Sequence, residues 1–241
     1  MSPENMIEAI LAGEDVDAFE LIGAFYRGYP VKNLSKLLCS NYKPAVAAGA
    51  YIANQIGNML QPCIDELTVL LNDESVQIRS DVIFGLGACA NVRHEEALGR
   101  LLLALGDPDP FVHRAAILSI ARNRDDTRLA YGARAAAKLA PGTVFEEIAE
   151  VFRSSERVDT ETLKQLIRHQ NPIARRFAVG VACRAEIILD AERLAIVENC
   201  NDEKGRLVLN EMRRRPKPIG ARIACISFTP EDRHPTLRLV E

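Results

Sequence analysis

Gly106-Asp107-Pro108-Asp109-Pro110, followed by Phe111-Val112-His113-Arg114-Ala115-Ala116-Ile117-Leu118-Ser119-Ile120-Ala121, decides how this chain folds. The glycine and two prolines enforce a turn, because proline fixes φ and cannot continue a preceding helix. A Leu-rich run, Leu101 to Leu105, precedes the break, and a small-residue run follows it. The stretch therefore reads as helix, turn, helix.

The same pattern recurs on both sides. Upstream, Leu70-Leu71-Asn72-Asp73 leads to Val76, Ile78-Arg79 and Val82 to Gly87. Downstream, Leu166-Ile167 leads to Asn171-Pro172, Ile173, Arg175 and Phe177 to Val181. A weaker copy has Leu37-Leu38, Asn41, Pro44, Val46 and Ala47 to Ala53. The anchors Val46, Ile78, Val112 and Ile173 stand 32, 34 and 61 positions apart, so the last gap predicts a degenerate repeat in between. A period in this range marks a stacked-repeat architecture. Seven helix pairs are expected: 3–12 with 15–26, 31–39 with 44–56, 62–71 with 74–88, 95–105 with 109–122, 127–139 with 143–152, 160–169 with 172–184, and 190–200 with 202–214. They form one domain over 1–215. Asp15 is the expected N-cap of the second helix. Pro44 and Pro62 suit first helical turns, where the missing N–H costs nothing. Gly49, Gly85 and Gly180 recur in mid-helix despite a propensity penalty of about 1 kcal/mol, which suggests close helix packing. Pro216, Pro218, Gly220, Pro230 and Pro235 end the pattern. Residues 216–241 are expected to be an irregular cap or tail, with Ile219, Ile223, Ile226 and Phe228 covering the last repeat.

Composition narrows the function. The net charge of −3 gives no general field that would draw nucleic acid. Residues 1–30 are acidic apart from Arg27, and 213–241 are rich in Arg, which suits an acidic first cap and a basic last helix end. The chain opens with Glu4 and Glu8 and no apolar run, so neither a secretory leader nor a membrane span is expected, and the cytoplasm is the expected location. The six cysteines lack C-x-x-C spacing and read as small buried hydrophobes in a reducing compartment. His94, His113, His169 and His234 are scattered, so no metal site is expected. There is no Gly-x-Ser-x-Gly, phosphate-cradling Gly loop or His-Glu-x-x-His; no catalytic residue and no cofactor is expected.

Asp107-Pro108, Val112, Arg114-Ala115-Ala116 and Ile120-Ala121, with Asp73, Ile78-Arg79 and Leu86, resemble the HEAT family, particularly its short-repeat, PBS-lyase-type class. The resemblance covers roughly 32–214. Asn171-Pro172 replaces Asp-Pro, Ala47 stands where a basic residue is expected, and 123–160 match poorly. The resemblance implies an all-α fold: a right-handed α-solenoid, or α-α superhelix, with second helices lining a concave face. It also implies partner binding more than catalysis. Asp73 with Arg79, Asp107 with Arg114 and Asn171 with Arg175 are then candidates for a ladder between repeats. As a binding surface, Arg79, His113, Arg114, Arg122, Arg175 and Arg176 make a concave basic stripe for a protein partner with an acidic surface, arginine being suited to forked carboxylate contacts. The Asn123-Arg124-Asp125-Asp126 loop and the run 213–217 are lesser candidates. The role that suits this pattern is a non-catalytic bacterial immunity, antitoxin or adaptor protein with one partner. Two enzyme readings stand beside it: a HEAT-like DNA glycosylase, for which Trp and a basic face are missing, and a bilin lyase-like protein.

Overall fold

The computed structural model describes residues 1–123, 125–153 and 158–183. Among these, every regular element is helical: α1 (Pro3–Leu11), α2 (Ala18–Tyr26), α3 (Ser35–Leu38, preceded by a 3-10 turn at Val31–Leu34), α4 (Lys43–Ile56), α5 (Ile64–Leu70), α6 (Val76–Cys89), α7 (Glu95–Leu103), α8 (Pro110–Arg122), α9 (Asp126–Leu139), α10 (Val144–Glu150), α11 (Thr160–Ile167) and α12 (Pro172–Ala182). The last expected pair, Cys200, Cys225, His234, Arg124, the basic run 213–217 and the cap at 216–241 lie outside the described residues.

The turn chemistry does what the sequence asks of it. Ser75, Asp109, Asp125, Asp159 and Asn171 each accept a backbone N–H two or three residues on, satisfying a helix-start donor that has no internal partner. Proline follows the cap at Pro110 and Pro172. Two details differ from expectation. Asp17, not Asp15, caps α2, its carboxylate accepting from Phe19 N at 2.8 Å. Pro62 sits in a 3-10 turn before α5, at Gln61–Cys63.

The helices stack in two rows. First helices α3, α5, α7 and α9 contact one another in order, and second helices α4, α6, α8 and α12 do the same. The expected pair at 127–152 forms as α9 and α10, but the second-helix row skips it. α12 packs directly on α8, while α10 lies against α9 and α12. One apolar core runs from Met6 to Cys183. Glycines set its closest approaches. A Cβ on Gly180 would meet Ile120 Cβ at 2.9 Å, and one on Gly85 would meet Leu60 Cδ1 at 3.1 Å. Gly106 faces the other way along the same seam, where a Cβ would meet Ile173 Cδ1 of α12 at 3.1 Å. Cys63, Cys89 and Cys183 are buried as expected, and burial pushes the Cys89 thiol up to about 12. Cys39 is exposed at the end of α3, contrary to that reading.

Candidate functional site

The second-helix row carries the six stripe residues, and its caps fix their register. Ser75, Asp109 and Asn171 stand four residues before Arg79, His113 and Arg175, so these three occupy one structural position. At that position an arginine reaches back to its own interhelix turn. Arg79 Nη1 donates to Asp73 O at 2.7 Å and Glu74 O at 3.1 Å; Arg175 Nη1 donates to His169 O and Gln170 O, both at 2.7 Å. Arg79 also reaches the next repeat, with Nε 2.9 Å from Asp107 Oδ2 and Nη2 3.0 Å from Oδ1. The turns match as well. Asp73 Oδ1 accepts from Ser75 N, Asp107 Oδ1 from Asp109 N, and His169 Nδ1 from Asn171 N. With Nδ1 an acceptor, the ring proton of His169 sits on Nε2 and faces Glu147 Oε2 at 3.0 Å.

In the middle repeat His113 replaces the arginine and is buried. Arg176 comes across from α12 to meet it: Nη1 donates to Leu105 O at 2.7 Å and to His113 Nε2 at 3.3 Å. Arginine only donates, so His113 Nε2 holds a lone pair toward it. Arg79, His113, Arg175 and Arg176 are thus engaged inside the array, at joints within and between repeats.

Arg114 and Arg122 differ. Arg114 is half-buried and Arg122 exposed, and the Arg122 guanidinium lies 5.1 Å from the centre of the Phe84 ring. Phe111, one turn before Arg114 on α8, is 61% exposed. Sequence reasoning missed both aromatics, because an apolar residue in an apolar-rich helix gives no signal of facing outward. It also missed Asp81. This carboxylate is buried between α4 and α6, accepting from Asn54 Nδ2 and Gln77 Nε2, each at 2.8 Å. Burial pushes its pKa up against the pull of the two amides. Burial likewise pulls Arg128 down; it donates to Gly87 O at 2.9 Å beside a cavity of about 10 Å³, room for little more than a water.

The first-helix side offers an open depression of about 480 Å³ between Asp65, Thr68 and the Arg93–Glu96 stretch. Among the described residues no group of three His, Cys, Asp or Glu is placed to hold a metal ion. Nor is any helix there long and apolar enough to cross a membrane.

The family comparison falls on this same stretch. Residues 64–142 match the family described as HEAT repeats. Residues 64–142 are HEAT repeats. The match runs from α5 through α9 and holds Arg79, His113, Arg114 and Arg122. α12 lies beyond the matched HEAT segment, yet Arg175 repeats the turn contacts of Arg79. No curated protein and no solved structure matches the chain.

Proposed function

We propose that this HEAT-repeat chain is a non-catalytic protein-interaction module. It takes one protein partner, bearing an acidic surface, on the face of its second helices. The observation that carries this is the HEAT-repeat match over a stack of paired helices. On α8 of that stack Phe111 and Arg122 are exposed, with the Arg122 guanidinium over the half-buried ring of Phe84. Arginine next to aromatic side chains is the composition enriched where interfaces concentrate their binding energy. The role that fits a chain with one such face is a bacterial immunity, antitoxin or adaptor protein acting in the cytoplasm.

The test is affinity capture from native lysate with wild-type protein and with Arg114→Glu/Arg122→Glu, at moderate and high salt. The expected result is one stoichiometric protein partner, lost in the double variant while the melting temperature stays the same. Retention of that partner by the double variant, or recovery of nucleic acid in its place, overturns the reading.

A further inference from the structure

Arg175 repeats half of what Arg79 does. Both stand four residues after the cap of a second helix, and both send Nη1 back to two carbonyls of their own turn. The other edge of the Arg79 guanidinium, Nε with Nη2, grips Asp107, the residue two before the cap of the next second helix. On Arg175 that edge lacks such a grip: Nε is buried and meets no acceptor among the described residues. A buried donor left unpaired is costly, and a guanidinium edge matches a carboxylate with two parallel bonds. Elsewhere in the row the cation and the acid come and go together. Val46 holds the arginine position of α4, and Lys43 of the same helix reaches Asp73 instead. From α8 to α12 both halves are missing at once: His113 holds the arginine position and His169 the acid position.

We infer that the Nε edge of Arg175 is the docking point for one further repeat of this chain, and that the carboxylate of Asp202 fills it. Asp202 lies outside the described residues, so the assignment stands on the geometry of Arg175 and on the sequence. Asn201-Asp202-Glu203 repeats Asn72-Asp73-Glu74, the tripeptide whose aspartate takes Lys43. The spacing agrees. Asp202 follows Arg175 by 27 residues, against 28 from Arg79 to Asp107 and 30 from Lys43 to Asp73. A carboxylate of another protein has the same chemistry, but the chain's own acid comes at the spacing of the two joints already formed. The inference does not depend on what the second-helix face binds. It takes Arg175 off that face and makes it the joint that holds a further repeat onto α12.

Two measurements on the full chain test this. In the first, Arg175→Lys is treated with a carbodiimide, which joins a lysine amine to a carboxylate in contact with it, and the product is mapped by peptide mass spectrometry. Arg79→Lys, which faces Asp107, serves as the control. The expected result is a link from position 175 to Asp202 within one chain. A link from 175 to another carboxylate or to a second chain, or no link at 175 where the control couples, overturns the inference. In the second, thermal melts compare Arg175→Ala, Asp202→Asn and the double variant. Each single variant is expected to lower the melting temperature, and the double variant to lower it no further than the larger single loss. Additive losses, or no loss in Asp202→Asn, overturn the inference whatever the cross-linking gives.

Discussion

Arg79 and Asp107 join two successive repeats through a forked ion pair, Nε to Oδ2 at 2.9 Å and Nη2 to Oδ1 at 3.0 Å. Both side chains are nearly buried, 12% and 13% exposed. Removing one partner of such a pair strands the other charge, so Arg79→Ala should lower stability by about 3 kcal/mol. A double-mutant cycle with Asp107→Asn, read by urea unfolding, should give a coupling well above that of a surface pair. Additive single effects would show that the two residues act separately.

Lys43 and Asp73 make the same kind of joint one repeat earlier, with Nζ 2.6 Å from Oδ2, but Lys43 is 55% exposed. Burial pushes Asp73 up, yet the Lys43 ammonium and the Ser75 N–H outweigh it and hold the carboxyl below its ordinary value of 3.8. A depressed carboxyl stabilises the fold above its unfolded pKa and loses that contribution as pH falls through the folded value. Lys43→Met should therefore lower the melting temperature at pH 7, modestly because the lysine is exposed, and the deficit should shrink as pH falls below about 3.8. A deficit that stays constant on acidification would contradict the assignment.

Gly99 of α7 lies where α9 crosses it. An added Cβ would sit 2.8 Å from Ala135 Cβ and 2.9 Å from both Ala135 C and Ala136 N. Backbone cannot step aside, so the helices must part. Gly99→Ala gains about 1 kcal/mol of helix propensity but loses more to overpacking, and should be destabilising by about 1–2 kcal/mol net. At Gly23 the same Cβ meets only the far end of Arg27, Nη1 at 2.9 Å, a group that can swing away. Gly23→Ala should be neutral or stabilising by up to about 1 kcal/mol. Thermal melts of the two variants moving in the same direction would refute the distinction.

The repeat was legible because its signals are local. Asp107-Pro108, the caps at Asp109 and Asn171, and small residues at Gly85 and Gly180 each act within a turn or at one helix contact. The ladder was half legible. Arg79 was named, but its side-chain partner is Asp107 of the next repeat, not the Asp73 of its own. In the middle repeat the sequence suggested Arg114, whereas the caps put His113 at that position. A single residue of register changes which side of a helix a group faces, and the pattern Val112-His113-Arg114 does not reveal it. Two features needed three dimensions. One is α12 on α8, which no spacing announces because α9, α10 and α11 intervene. The other is Asp81, whose amide partners come from two helices.

Arg176 holds α12 to α8, and its removal should separate that joint from the rest of the array. The guanidinium is half-buried and donates to Leu105 O and toward His113 Nε2, so Arg176→Ala leaves a carbonyl and an imidazole nitrogen short of a donor. Hydrogen exchange should quicken across 172–182 while the amides of α4 and α6 keep their protection, because repeat arrays lose structure interface by interface. Uniform loss of protection would mean that the array unfolds as one unit. No change in exchange, together with lost partner binding, would return Arg176 to the binding face.

Asp81 offers the opposite electrostatic experiment from Asp73. Its pKa is raised, by burial first, so ionisation is harder in the fold than in the unfolded chain. Below about 3.8 both states carry the proton and there is no penalty. As pH rises toward the folded pKa the unfolded chain ionises first, the unfolded state binds fewer protons, and stability falls; above the folded pKa the loss is constant. Asp81→Asn removes the charge and keeps the size, and the amide of Asn54 or Gln77 can turn over to match the new donor. The variant should therefore melt a few degrees higher than wild type at pH 7, with the gain shrinking to nothing by pH 3. A variant that melts lower at pH 7 would show that the ionised carboxylate stabilises the α4–α6 contact, and that the two amides more than offset the burial.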